Sequence, residues 1–302
     1  MCRPLSLLEA QDVRRPLSLL EVPMIVRKSP AEIEIMARAG RVIAHLHEVL
    51  REAVAPGVTT EDLDEISARE LRSANAVPSF LGYGGTPGRP PFPATLCTSV
   101  NAEIVHGIPS PNVTLRGGDL IKIDAGAILD GYHADSAVTW IVGGDDTVAP
   151  QVRDLVARTR SGLWAGLSTA APGNRLGDVS AAVQAHADPH GYGVVREYVG
   201  HGIGRALHED PHVPNYGRPG RGPRLVEGLV IAVEPMFNLG THETQVEPDG
   251  WTVTTADGRL SSHWEHTVAI TADGPRVLTA RSDEPEWPLA SPDRVPTARV
   301  AG

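Results

Sequence analysis

The chain has 302 residues, of which 41% are hydrophobic and 21% are charged, and its formal net charge at pH 7 is −10. This length is sufficient for one large domain or two modest ones with a sizeable core. The acidic balance argues against non-specific binding to nucleic acid or to an anionic membrane surface. The two cysteines, Cys2 and Cys97, indicate a reducing compartment, and no apolar run approaches the roughly 20 residues of a membrane span. We therefore expect a cytoplasmic protein.

The two ends of the chain differ from the part between them. RPLSLLE occurs at residues 3–9 and again at 15–21, without helical or strand periodicity. We predict a disordered tail over residues 1–23; a second interpretation is that translation starts at Met24. Residues 281–302 are rich in Pro, Asp and Arg and are predicted to form a loose C-terminal tail. The ordered domain is then expected at residues 24–280.

The first ordered element is predicted to be a helix that begins at Pro30. Ser29 is a suitable N-cap, Glu32 completes a capping box with it, and apolar residues follow at helical spacing. A second helix is predicted at residues 61–74. Gly and Pro crowd residues 82–93, which indicates a loop.

A hairpin is predicted to bring two aspartates together. An apolar, β-branched run ends at Asp124, and Asp130-Gly131 is a strong signal for a two-residue turn. If these two residues form the turn, Asp135 lies opposite Gly126 and on the same face as Asp124. Two unpaired carboxylates this close would repel each other, and a divalent cation removes the conflict.

A weak internal repeat indicates two related α/β halves. Three segments recur in the same order, at offsets of 116, 95 and 110 residues: Ala55-Pro56-Gly57 as Ala171-Pro172-Gly173, His106-Gly107-Ile108 as His201-Gly202-Ile203, and the strand ending at Asp124 as the strand ending at Glu234. Because the echoes keep their order, we expect the two halves to face each other. A site between them would take ligands from both.

The second half supplies further metal-binding groups. Glu234 ends an apolar strand, Glu265 lies in a strand-like segment, and His201 is flanked by glycines that permit close approach of a ligand. With Asp124 and Asp135 they make four carboxylates and one imidazole. This donor set suits Mn²⁺, Fe²⁺, Co²⁺ or Zn²⁺, and so many carboxylates favour a bridged pair of ions.

Five strings carry a family resemblance: IDAG at 123–126, DGYHAD at 130–135, YVGHGIGR at 198–205, VEPM at 233–236 and WEHT at 264–267. In sequence, order and spacing they resemble the type I methionine aminopeptidases, and the resemblance covers about residues 24–280. It implies the pita-bread fold, a mixed α/β (α+β) architecture. Two pseudo-symmetric halves with a central antiparallel sheet are covered by helices, which agrees with the internal repeat.

The resemblance also implies an activity. The chain would be a methionyl aminopeptidase that removes the N-terminal methionine of nascent polypeptides, favouring a small second residue, by means of a hydroxide that bridges two metal ions. Asp124 would bind one ion, and His201 and Glu234 would bind the other. Asp135 and Glu265 would bridge the two, and Glu234 would also carry protons. A monomer is implied, with the ribosome as the place where substrates are met.

Further residues gain roles from the same resemblance. His106 would contact the scissile amide nitrogen, and His208 would donate to the carbonyl oxygen and stabilise developing negative charge. Four residues are candidates for the wall of an apolar methionine pocket: Tyr83, Phe92, Cys97 and Trp251. For Cys97, ordinary core packing is an equally good interpretation.

The chain departs from the family pattern around this pocket. Leu207 stands where bacterial members commonly have an aromatic residue, and Val105 replaces a frequent cysteine. Residues 88–91 form an apparent insertion in the pocket loop. These departures concern the shape of the pocket and none of the predicted metal ligands.

Three alternatives remain from sequence alone. A prolidase or aminopeptidase P shares the fold and the metal set but normally carries a large N-terminal domain, for which residues 1–28 give no room. A type II methionine aminopeptidase would need a helical insertion in the short interval between His201 and Glu234. A pita-bread protein without catalysis would be a binding module, but such proteins have typically lost ligands, and all five candidates are present here.

Overall fold

The computed structural model describes residues 25–284. Its α-helices are α1 (Pro30–Ala53), α2 (Thr60–Ser73), α3 (Pro150–Thr169) and α4 (Leu176–Ala187), with short 3-10 turns at Asp145–Thr147 and Asp188–His190. None of these helices combines the length and the apolar character needed to cross a lipid bilayer.

The strands are short except for one long hairpin. In chain order they are β1 (Val77–Pro78), β2 (Leu96–Val100), β3 (Glu103–Val105), β4 (Leu120–Leu129), β5 (Tyr132–Ile141), β6 (Gly193–Val194), β7 (Gly200–Gly202), β8 (Glu209–Val213), β9 (Val230–Val233), β10 (Met236–Asn238), β11 (Thr244–Val246), β12 (Val253–Thr255), β13 (Ser261–His263), β14 (His266–Thr271) and β15 (Gly274–Val277).

The predicted start of α1 is confirmed. The Ser29 hydroxyl accepts from the Glu32 amide, and the Glu32 carboxylate accepts from the Ser29 amide at 2.7 Å, which completes the capping box. The buried face of α1 packs against the β4–β5 hairpin. The second helix, α2, begins and ends one residue earlier than predicted.

The predicted hairpin register is also confirmed. Leu129 pairs with Tyr132 and Gly126 pairs with Asp135. The turn residues Asp130 and Gly131 have φ values of 48° and 78°. Positive φ at both central residues matches the right-handed twist of the strands, which is why an Asp-Gly pair is favoured here.

The two halves repeat the same local structure. Gly57, between α1 and α2, donates its N–H to the Leu115 carbonyl at 2.8 Å, and Gly173, between α3 and α4, donates to the Leu225 carbonyl at 3.1 Å. An antiparallel bridge follows in each half, at Thr59–Thr114 and at Arg175–Arg224. The expected pseudo-symmetric pair of α/β halves is therefore present.

The strand pairings among residues 25–284 are antiparallel. They divide into ladders of four, three, three and five strands, so the central sheet is interrupted. The largest ladders are β1–β4–β2 with β5, and β15–β14–β9–β7–β8. The halves meet where the Glu265 amide donates to the Ala137 carbonyl at 2.9 Å.

The predicted boundaries of the ordered domain stay predictions, because residues 1–24 and 285–302 lie outside the described part of the chain. The first residues of the expected C-terminal tail are nevertheless packed. Arg281 and Glu284 are buried and ion-paired with each other, and Glu284 lies 3.1 Å from Nε2 of His266. The composition predicted a loose segment here, because composition does not reveal whether charged side chains find ion-pair partners in the fold.

Candidate active site

Three of the predicted metal ligands converge at the seam between the halves. Asp135 on β5, His201 in β7 and Glu265 just before β14 each offer a ligand atom, and these atoms lie within 4.8 Å of one another. All three side chains are buried. Because the residues come from distant parts of the sequence, the cluster exists only in the folded chain.

The other two predicted ligands border this group. Oε1 of Glu234, which follows β9, lies 3.7 Å from Nε2 of His201. Asp124 lies on β4 and shares a face of the hairpin with Asp135, as the register requires. The structure thus brings the five sequence-predicted residues into one neighbourhood; their binding of metal remains a prediction.

Burial and mutual repulsion act together on the carboxyl groups. Burial raises the pKa of Asp124 to about 6. Burial and the neighbouring carboxylates raise the pKa values of Asp135 and Glu265 well above the ordinary range. Burial alone would also raise the pKa of Glu234, but the imidazoles of His263 and His201 hold it below its usual value. A cation among these groups would remove both the repulsion and the desolvation cost.

The unpaired atoms fit such a cation. Within residues 25–284, Oδ1 of Asp124, Oδ1 of Asp135 and Oε1 of Glu265 are buried without a hydrogen-bond partner. Nδ1 of His201 lies 2.9 Å from the Gly202 carbonyl, which can only accept, so the proton is on Nδ1. The lone pair of Nε2 therefore faces the cluster, as in metal-binding histidines.

His106 and His208 both lie beside this cluster. The His208 ring is 4.1 Å from the His201 ring, and its Nδ1 is 2.6 Å from the Tyr83 hydroxyl. The His106 ring packs edge-on against Tyr198 at 5.7 Å. Burial lowers the pKa values of His106 and His208 to about 4, so both imidazoles are neutral at pH 7.

The expected pocket residues are only partly grouped. Phe92, Cys97 and Trp251 are buried in one apolar cluster that also contains Leu207. Cys97 pairs with Asp124 on the neighbouring strand, which places it directly beside the carboxylates. Tyr83 lies outside this cluster, is 38% exposed and contacts His208.

The apparent insertion holds one of these residues in place. The Trp251 indole donates from Nε1 to the Pro90 carbonyl at 2.9 Å, and the Arg89 guanidinium lies 4.1 Å above its ring. Trp251 in turn packs edge-on against Phe92 at 5.3 Å and His106 at 6.3 Å. Residues 88–91 thus form part of the wall near the site.

Sequence reasoning missed His263. It ends β13, is 1% exposed, and its Nε2 lies 3.7 Å from Oε2 of Glu234. The one signal in the sequence was its position two residues before Glu265. Residues at that spacing share a face of an extended strand.

Comparison with known proteins shows the family to which the chain belongs. Residues 34–272 match the sequence model of metallopeptidase family M24. The chain belongs to this family. A divalent metal cofactor follows for this M24 peptidase, in agreement with the unpaired carboxylate oxygens of the cluster.

Individual relatives show which members of the M24 family this chain resembles. The methionine aminopeptidase of Clostridium acetobutylicum is 48% identical over 256 residues, which is 85% of this chain and 99% of the relative. The crystal structure of methionine aminopeptidase from Thermotoga maritima matches with a TM-score of 0.81 and 40% identity, over 85% of this chain and 100% of that one. The chain therefore belongs with the methionine aminopeptidases, and the predicted pita-bread fold is confirmed.

A prolidase from Pyrococcus furiosus shares the fold at lower similarity. It matches with a TM-score of 0.66 and 21% identity, over 85% of this chain and 66% of the prolidase. At this identity the likeness concerns the fold alone. The alternative of a prolidase is thus less well supported than that of a methionine aminopeptidase.

Proposed function

We propose that this M24 peptidase hydrolyses the first peptide bond of chains that begin with methionine and have a small second residue. The observation that carries the proposal is the convergence of Asp135, His201 and Glu265 at the seam between the halves. The family and the relatives named as methionine aminopeptidases support it.

We assign two divalent ions, from among Mn²⁺, Co²⁺, Fe²⁺ and Zn²⁺, to the five-residue cluster. Asp124 would hold one ion, His201 and Glu234 the other, and Asp135 and Glu265 would bridge them. When bound, the ions supply an acidified water or hydroxide as nucleophile and polarise the scissile carbonyl.

The residues around the cluster would orient the substrate and move protons. Glu234 lies at the edge of the cluster with a pKa below the usual range, so it is ionised and can accept a proton from water before passing it to the leaving amine. When the Tyr83 hydroxyl donates to Nδ1 of His208, Nε2 of the neutral ring carries the proton. That N–H can donate to the scissile carbonyl oxygen and stabilise its developing charge.

His106 and the apolar cluster would hold the methionine end. His106 is neutral, its ring packs edge-on against Trp251, and it is near enough to Glu234 for that carboxylate to act on its pKa. It can hydrogen-bond the scissile amide nitrogen as that nitrogen becomes an amine. Phe92, Cys97 and Trp251 offer an apolar and polarisable surface to the thioether, and Tyr83 would complete it.

The test is release of free methionine by purified protein loaded with Mn²⁺ or Co²⁺. Met-Ala-Ser should be cleaved, whereas Met-Leu-Ser should be cleaved much more slowly. N-formyl-Met-Ala-Ser, which lacks a free amine, should be resistant. A Glu234→Ala variant should fold but be inactive. Absence of methionine release from folded, metal-loaded wild-type protein would refute the proposal.

We further propose that nascent polypeptides are the cellular substrates, and that the enzyme acts as a cytoplasmic monomer that meets them at the ribosome. The family resemblance supports this substrate class, and the two cysteines support a reducing compartment. Native mass measurement tests the monomer. Co-sedimentation with translating ribosomes, compared with ribosomes stripped of nascent chains, tests the encounter.

A further inference from the structure

His263 is an enclosed polar group without an assigned role. Its side chain is 1% exposed, and neither ring nitrogen has a hydrogen-bond partner among residues 25–284. Buried polar atoms nearly always have a hydrogen-bond partner, so two ring nitrogens without one call for an explanation. The ring belongs to a rigid segment, because the His263 amide donates to Thr139 Oγ1 at 2.9 Å and that hydroxyl donates to the His263 carbonyl at 2.7 Å.

The Glu234 carboxylate lies between two imidazoles. Its Oε1 is 3.7 Å from Nε2 of His201, and its Oε2 is 3.7 Å from Nε2 of His263. Each oxygen of the carboxylate therefore faces a different histidine. An approach of about half an ångström would bring Nε2 of His263 within hydrogen-bond distance of Oε2.

The two histidines differ in how their other nitrogen is used. Nδ1 of His201 donates to a backbone carbonyl, which directs the Nε2 lone pair toward the cluster. Nδ1 of His263 has no such acceptor in the described part of the chain, so nothing fixes a lone pair on Nε2. His263 also lies outside the group whose ligand atoms converge within 4.8 Å. These differences favour a donor at Nε2 of His263 over a metal ligand.

We propose that His263 is a positioning residue whose Nε2–H donates a hydrogen bond to Oε2 of Glu234 and so keeps Oε1 directed at His201 and the metal site. This inference rests on the proposed function, which gives Glu234 its two roles as ligand and proton carrier. A carboxylate fixed at one oxygen cannot rotate freely. Its other oxygen then keeps one direction through binding and catalysis.

The test compares His263→Gln, which retains an N–H donor, with His263→Leu, which does not. His186→Leu, on α4 outside the site, is the control. Mn²⁺ affinity is measured by calorimetry on metal-free protein, and kcat and KM are measured with Met-Ala-Ser. Thermal unfolding of the metal-free proteins checks the fold. If the leucine variant does not fold, His263→Asn takes its place, because its shorter amide does not reach Glu234.

We expect His263→Leu to weaken Mn²⁺ binding and to lower kcat, each by about ten- to a hundredfold, with KM changed by no more than about twofold. His263→Gln should keep both quantities within about threefold of wild type. A leucine variant equal to wild type would overturn the proposal. Equal losses in both variants, with one fewer ion bound per chain, would also overturn it and make His263 a ligand. If wild-type protein releases no methionine, the proposed function fails, and the Mn²⁺ affinities still decide the role of His263.

Discussion

Asp135 and Thr267 exchange two hydrogen bonds across the seam between the halves. The Asp135 amide donates to Thr267 Oγ1 at 3.0 Å, and that hydroxyl donates to the Asp135 carbonyl at 2.8 Å. Thr267 is two residues beyond Glu265, so the exchange fixes the backbones that carry both bridging candidates. The spacing of these carboxylates is therefore set by contacts between the halves.

Loss of this hydroxyl should affect both stability and metal binding. Thr267→Val has nearly the same shape but leaves the Asp135 amide and carbonyl unpaired in a buried place. We expect it to lower the free energy of unfolding by about 1–3 kcal/mol and to weaken Mn²⁺ binding. Thr267→Ser, which keeps the hydroxyl, is the matched control. Urea unfolding and calorimetry measure the two effects, and equal behaviour of the two variants would contradict the expectation.

Removing one carboxylate charge should stabilise the metal-free protein but reduce its stabilisation by metal. Asp135→Asn relieves the repulsion that raises the pKa values of the group, so the metal-free variant should melt at a higher temperature than metal-free wild type at pH 7.5. It should also lose most of the rise in melting temperature that Mn²⁺ gives the wild type. Asp130→Asn, in the exposed turn of the same hairpin, should behave as wild type. A full Mn²⁺ response in Asp135→Asn would refute a bridging role.

A buried histidine outside the metal cluster should account for part of the loss of folding stability at acid pH. Burial lowers the pKa of His47 from 6.5 to about 3, and its Nε2 lies 2.8 Å from the Ser136 carbonyl. Because the pKa of His47 is depressed in the folded state, the contribution of its neutral ring to stability is fully present above pH 6.5. This contribution is lost as pH falls toward 3. The loss is at most about 1.4 kcal/mol per pH unit.

His47→Gln retains a donor for Ser136 but does not titrate. The stability of this variant should fall less steeply than that of wild type between pH 6.5 and 4, as measured by urea unfolding of metal-free protein. His45→Gln, on the exposed face of α1, is the control. Parallel pH curves for His47→Gln and wild type would show that His47 is not the group responsible.

The loop at residues 88–91 should contribute to substrate binding through Trp251. Arg89→Ala removes the guanidinium from the indole face, so Trp251 loses a contact that holds it beside His106. We expect KM for Met-Ala-Ser to rise about three- to tenfold with kcat within about twofold, since the contact serves binding in ground and transition states alike. Arg72→Ala, on the exposed side of α2, is the control. A fall in kcat at constant KM would contradict this role.

Local chemistry explains which parts of the fold were predictable from sequence. The Asp130-Gly131 turn fixes its own register, so the shared face of Asp124 and Asp135 followed from a few adjacent residues. His263 was missed because its approach to Glu234 depends on the pairing of Met236 with His263 between β10 and β13. No local pattern specifies that register.

Side-chain partners in the folded chain explain the remaining differences. Arg281 and Glu284 have the composition of a tail, yet they pack through an ion pair with each other and the contact of Glu284 with His266. Tyr83 was expected in the pocket wall by motif position, which stays a prediction, and the structure adds a contact of its hydroxyl with Nδ1 of His208 at 2.6 Å. Such pairings depend on where distant segments meet.

The most direct measurement is an anomalous difference map from crystals of the protein soaked in Mn²⁺, recorded near the manganese absorption edge. Two peaks are expected at the seam, both in contact with Asp135 and Glu265, with Asp124 on one and His201 and Glu234 on the other. Crystals of Asp135→Asn should lose the paired peaks. Manganese bound elsewhere, or no peak among these five residues in wild-type crystals, would contradict the assignment of the site.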